Sequence, residues 1–186
     1  MPANDEDTPD IVATGTRVVY ENKWMRVRED AVRRRDGSTG IYGVIEKDDF
    51  VVVVPVEPDG SIHLVQQYRY PVGARLWEFC QGMWGGPDVD PHLAAGHELA
   101  EETGLSAASL TEAGHMYCAA GTMRQGCRIF LATGLTPGAA RPEVEEQDIV
   151  SRRFPRAEFE RMLREGEIKD DVTIAAWGLL LVKGLV

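Results

Sequence analysis

The chain has 186 residues, 44% of them hydrophobic and 27% charged. That balance fills one globular core with room for a small appended lobe, and it excludes a disordered or fibrous class for most of the length. A formal net charge of −10 argues against nucleic-acid binding, because phosphate backbones are gripped by basic surfaces. A small anionic substrate stays open, since metal ions and a few arginines can reverse the potential inside one cleft.

Residues 1–16 are expected to form a flexible tail, with four acidic residues and two prolines before Gly15. Residues 17–47 read as an N-terminal β-lobe. Val18 to Tyr20 and Met25 to Val32 alternate apolar and polar residues, and Asp36-Gly37 turns the chain into Gly40 to Glu46. Residues 48–186 read as the main domain. Phe50 to Val56 is a continuous β-branched run suited to a central strand, Pro58-Asp59-Gly60 is a turn, and Ile62 to Tyr70 reads as the hairpin partner of that strand. Trp77 to Phe79 begins a short strand that runs into a glycine-rich loop. Leu110 to Tyr117 and Arg128 to Thr133 read as strands joined by a loop from Ala119 to Gly126, and Pro155 to Glu165 and Asp171 to Val182 as helices. Cys80, Cys118 and Cys127 are odd in number and lack CxxC spacing, which suggests neither a disulfide framework nor a zinc site. With no signal-like opening and no apolar run of membrane-spanning length, the expected location is cytoplasmic.

Between the loop and Leu105 a helix is expected, with Asp90 as N-cap, Pro91 at the first helical position and Gly104 at the C-terminal stop. Glu98, Glu101 and Glu102 occupy positions i, i+3 and i+4 and so share one face. Like charges at that spacing repel, so either the face is solvated or a cation sits over it. A hard divalent ion such as Mg²⁺ or Mn²⁺ takes oxygen ligands of this type, with substrate phosphates completing its shell. The bland alternative is an ordinary acidic surface helix.

The run from Gly82 to Leu105 resembles the Nudix box. Its second half, Glu98-Leu99-Ala100-Glu101-Glu102-Thr103-Gly104-Leu105, fits the pattern without exception. Its first half departs from it. His97 stands where the family has Arg, one residue is inserted after Gly82, and Asp88 takes the first acidic position. The segments Leu64 to Gly73, Trp77-Glu78, Phe130 to Leu135 and Gly166 to Ala175 extend the resemblance to the ADP-ribose pyrophosphatase branch. The resemblance implies an α/β fold, a Nudix α/β/α sandwich with a mixed sheet. A small antiparallel β-lobe would precede it, through which members of this branch commonly form homodimers.

It also implies roles. Glu98 and Glu102 would ligate metal, Glu101 would be a third ligand or a base, and the Gln81 carbonyl would complete the shell. Glu145, in the acidic run Glu143 to Ile149, would position or deprotonate the attacking water. Arg69 would face the substrate diphosphate, against the alternative of a surface arginine paired with a carboxylate. Glu78 is a candidate metal-binding or bracing carboxylate. Trp24, Tyr70 and Trp84 are candidates to stack on a nucleobase, although such aromatics more often serve a core. In the loop Ala119 to Gln125, Arg124-Gln125 replaces an acidic residue common in the branch, which bears on substrate choice. The expected activity is Mg²⁺-dependent cleavage of the pyrophosphate linkage of ADP-ribose or a nucleotide sugar. The alternative is a Nudix-fold nucleotide-binding or sensor protein with weakened turnover.

Overall fold

The structure is a computed structural model, and it describes residues 9–83, 89–140 and 148–186. In chain order its elements are β1 (Ile11–Glu21), β2 (Arg26–Arg34), β3 (Thr39–Glu46), β4 (Phe50–Pro55), β5 (Ile62–Arg69), β6 (Ala74–Glu78) and β7 (Cys80–Met83). They continue with α1 (Pro91–Thr103), β8 (Leu105–Tyr117), β9 (Met123–Arg124), β10 (Gly126–Pro137), β11 (Val150–Phe154), α2 (Arg156–Arg164) and α3 (Asp171–Val182). The chain divides into two compact units, one of residues up to Lys47 with Tyr117–Gln125, the other of Asp48–Met116 with Gly126–Val186.

The first unit is one sheet in the order β1-β2-β3-β9. The β2–β3 hairpin closes at the predicted Asp36-Gly37 turn, where the Ser38 N–H donates to Asp36 Oδ1 at 2.9 Å and Gly37 takes φ +84°. Asn22 organises the β1–β2 connection by accepting from the Trp24 and Met25 amides at 2.8 and 2.9 Å. Two expectations change here. Strand β1 begins at Ile11, inside the stretch read as tail, because its backbone pairs in register with β2 from Ile11 opposite Arg34. Its side chains stay exposed throughout, so hydrophobic patterning could not reveal it. The loop after Ala119 contains β9, which pairs parallel with β3, and the Tyr42 hydroxyl donates to the Gly121 carbonyl at 2.6 Å.

The second unit contains a mixed sheet, β7-β4-β10-β8, in which β4 pairs parallel with β10 and antiparallel with β7. The β-branched run in β4 is buried on both faces, as expected of a central strand. Val51 and Val53 pack with Ala95, Leu99 and Phe130 beneath α1. Val52 and Val54, also fully buried, alternate to the opposite face. A second core joins Phe79, Phe159 and Trp177, with ring centroids 5.7 and 5.0 Å apart.

The predicted β4–β5 hairpin does not form. Apart from a bridge between Val56 and Ile62, β5 pairs with β6 and β11 in a separate three-stranded sheet. Both edges of β4 are taken by β7 and β10, so the turn at Gly60 hands the chain from one sheet to the next. Among the described residues, no helix is long and apolar enough to cross a membrane.

Candidate active site

The site is organised by α1. Asp90 caps its start by accepting from the His92 amide at 2.9 Å, with Pro91 in the first turn. Gly104 ends it in the left-handed region at φ +73°, where a Cβ would lie 2.6 Å from the Ala140 nitrogen. This fixes Glu98, Glu101 and Glu102 in the last turns, toward the negative end of the helix dipole, and the final turn itself carries no basic residue.

The three carboxylates do not share one environment. Glu102 is buried, with 2% of its surface exposed. Glu98 lies over β7 so closely that a Cβ on Gly82 would fall 1.9 Å from its Oε1, so only glycine leaves room for that carboxylate. Burial pushes the neighbouring Cys80 thiol well above its ordinary range, and the charges of Glu102 and Glu98 push it further. Glu98 and Glu102 are therefore gathered around the Cys80–Gly82 strand. Glu101 instead lines a surface cavity of about 350 Å³ with His97, Ala100 and Ala139.

A third carboxylate lies next to this strand. Glu78 is fully buried, and its Oε2 accepts from Arg69 Nε at 3.1 Å, Arg69 Nη2 at 2.9 Å and the Gln81 side-chain amide at 2.7 Å. Its Oε1 has no hydrogen-bond partner among the described residues. Burial raises the Glu78 pKa, an effect that the Arg69 charge opposes and Asp170 reinforces. The Phe79 amide, next in the chain, donates to Thr173 Oγ1 in the first turn of α3 at 2.9 Å. Glu78 thus braces Arg69 and Gln81 together, the bracing role the sequence held open for it.

Arg69 is ion-paired, as its alternative reading expected, yet its side chain keeps 36% exposure. Tyr70 follows it in the β5–β6 turn and is 86% exposed. Trp24 belongs to the first unit, is partly exposed, and carries Lys23 Nζ 4.0 Å from its ring centroid. Glu145, Asp88 and Trp84 lie outside the described residues. The sequence did not single out Asp148, which ends the acidic run. Its Oδ2 accepts from the Tyr68 amide at 3.1 Å and from Arg75 Nη1 at 2.9 Å, tying that end of the run to the β5–β6 hairpin. The available signal was one more acid in a run of acids, which marks no partner.

Residues 47–177 match the NUDIX domain, and residues 13–45 match the nucleoside diphosphate sugar hydrolase N-terminal domain. The chain belongs to the Nudix family. It is 34% identical over 175 residues to an ADP-ribose pyrophosphatase of Mycobacterium tuberculosis, covering 93% of this chain and 83% of that protein. An ADP-ribose pyrophosphatase of Bacillus subtilis is 26% identical over 71% of each chain. A methanol dehydrogenase activator of Bacillus methanolicus is 22% identical over 87% of each. A crystal structure of an ADP compounds hydrolase superposes with a TM-score of 0.82 at 21% identity, covering 96% of this chain and 98% of that one, and shares the fold.

Nudix hydrolases generally use divalent metals. Among the described residues no three His, Cys, Asp or Glu side chains are gathered closely enough to hold an ion by themselves. The donors present still fit a hard cation. All are oxygens, two of the carboxylates converge on one strand at the negative end of a helix, and the missing Cβ of Gly82 makes the room that the Glu98 carboxylate occupies.

Proposed function

We propose that this Nudix hydrolase cleaves the pyrophosphate bond of a nucleoside diphosphate linked to another group, with ADP-ribose as first candidate and nucleotide sugars next. The observation that carries this reading is the seating of Glu98 against Gly82 with Glu102 beside it, in a chain 34% identical to an ADP-ribose pyrophosphatase over nearly its whole length. Glu98, Glu102 and the Gln81 carbonyl would hold Mg²⁺ or Mn²⁺, with Glu101 as a further ligand or base. The ion neutralises phosphate charge and lowers the pKa of water when bound. Glu145 accepts the proton of the attacking water, Arg69 orients the diphosphate, and Tyr70 and Trp24 offer aromatic faces to the base. Water adds to one phosphorus, the bridging oxygen leaves, and ADP-ribose gives AMP and ribose 5-phosphate.

The protein acts as a homodimer through its N-terminal lobe. Support comes from β1, an edge strand exposed along all eleven residues and bearing Ile11, Val12, Val18, Val19 and Tyr20. The net charge of −10 favours a small substrate over nucleic acid, and Cys80, Cys118 and Cys127, held as thiols in no disulfide, suit the cytoplasm.

The test is Mg²⁺-dependent release of nucleoside monophosphate from ADP-ribose and a panel of nucleotide sugars, comparing the native protein with Glu102→Gln. Turnover lost in the variant with the fold retained supports the hydrolase. Tight binding of one ligand with no turnover across the panel overturns it in favour of a nucleotide sensor.

A further inference from the structure

We infer that Glu78 is a positioning residue of the diphosphate site: one buried oxygen grips the inner edge of the Arg69 guanidinium and the Gln81 amide, so that the outer guanidinium edge faces the substrate. The inference rests on the reading of Arg69 given above.

Register makes the arrangement specific. Arg69 pairs with Ala74 and Glu78 with Val65, so the two residues sit on one face of the β5–β6 ribbon, four positions apart. That separation is about 13 Å along the strand. Arg69 therefore reaches Glu78 only by lying back along the row of Gln67 and Leu76, instead of extending into solvent from the strand end.

The pair is also one-sided. The Glu78 side chain is 0% exposed and that of Arg69 36%. Of the five guanidinium N–H groups, the Nε donor and one Nη2 donor are spent on Glu78 Oε2. The Nη1–Nη2 edge keeps its fork, and no hydrogen bond among the described residues uses Nη1. A guanidinium held by one edge presents the other in fixed orientation, which a bidentate phosphate contact needs. The same Oε2 accepts from Gln81 at 2.7 Å, so the anchor of the arginine also fixes the side chain of the residue preceding Gly82.

A pair serving stability alone would affect unfolding and leave ligand affinity untouched. The experiment measures calorimetric affinity for α,β-methylene ADP-ribose, which resists hydrolysis, alongside thermal midpoints. The proteins are native, Arg69→Gln, Glu78→Asp and the double variant. Glu78→Asp keeps the charge and withdraws the oxygen by one methylene. The expected result is about tenfold weaker binding for each single variant, the scale of one charge-assisted pair, and no further loss in the double variant. If Arg69→Gln weakens binding and Glu78→Asp does not, this inference is overturned and the diphosphate role of Arg69 stands. If the native protein does not bind the probe, or Arg69→Gln is silent, the role of Arg69 falls and the inference with it. Glu78→Gln, with the volume and one oxygen retained, takes the place of Glu78→Asp should the latter not fold, with the same loss expected. Failure of both to fold makes Glu78 a stability element and overturns the inference.

Discussion

Two acidic settings lie on either side of β7, and the chain treats them oppositely. Glu78 is buried, and the protein supplies its donors from within: Arg69 twice and Gln81 once, all on Oε2. Glu98 and Glu102 also converge on β7, but from the last turns of α1, where the backbone dipole is negative, the neighbours include Glu101, and the final turn itself carries no basic residue. The first setting is electrostatically self-contained and holds a shape. The second gathers carboxylates at the negative end of a helix, an all-oxygen donor set that suits a hard cation.

The comparison is broken most severely at Glu102. Glu102→Gln removes one charge from the α1 setting, and release of AMP from ADP-ribose should fall on the order of 10³-fold, the scale of metal-assisted charge stabilisation. Because like-charge repulsion is relieved, the thermal midpoint should hold or rise. A variant that keeps native turnover would remove Glu102 from the chemistry.

Gly82→Ala acts on the same setting through space alone. Its Cβ would stand 2.2 Å from Glu98 Cδ, and the flexible carboxylate yields before the strand does. Turnover should drop about tenfold to a hundredfold, with stability altered by less than about 1 kcal/mol. A variant with unchanged turnover would show that Glu98 works equally well away from β7.

Glu78 sharpens the comparison through pH. Burial raises its pKa in the folded protein above the ordinary 4.5, so across that interval the folded state holds more proton than the unfolded one. Its contribution is therefore most favourable below the ordinary value and is lost as pH rises through the folded value. In Glu78→Gln this loss should vanish. Thermal midpoints of native protein minus variant should fall as pH climbs from 4.5 toward neutrality, and a flat difference would refute the assignment.

The smallest effect is expected at His97, exposed and one turn before Glu101. His97→Arg places a permanent cation at i, i+4 and should stabilise by about 0.2–0.5 kcal/mol, with turnover changed less than about threefold. Thermal melts at low and high salt check it, since the gain should shrink with screening.

The helix bearing the acidic residues was fully legible in the sequence, down to its caps, because Asp90, Pro91 and Gly104 act on the backbone within one turn of themselves. Strand β4 was legible for a similar reason, since an unbroken β-branched run fits only a strand covered on both faces. Strand β1 was read short and the β9 segment was read as loop, because both are held by backbone ladders that demand no apolar pattern. The hairpin assigned to β5 failed because a turn at Gly60 specifies a reversal and leaves open which sheet receives the strand.

The sequence by itself determined helix α1 with its caps, the central strand β4, the acidic spacing on α1 and the family to which that spacing belongs. Those properties are carried by residues near one another in the chain, whose geometry follows from helical and strand periods. Tertiary structure alone decided that Glu98 presses on Gly82 while Glu101 turns to the flank of His97, and that Arg69 spends one edge on Glu78. Such pairings depend on strand register and on helix-to-sheet packing, which place residues 9 and 16 positions apart within contact distance.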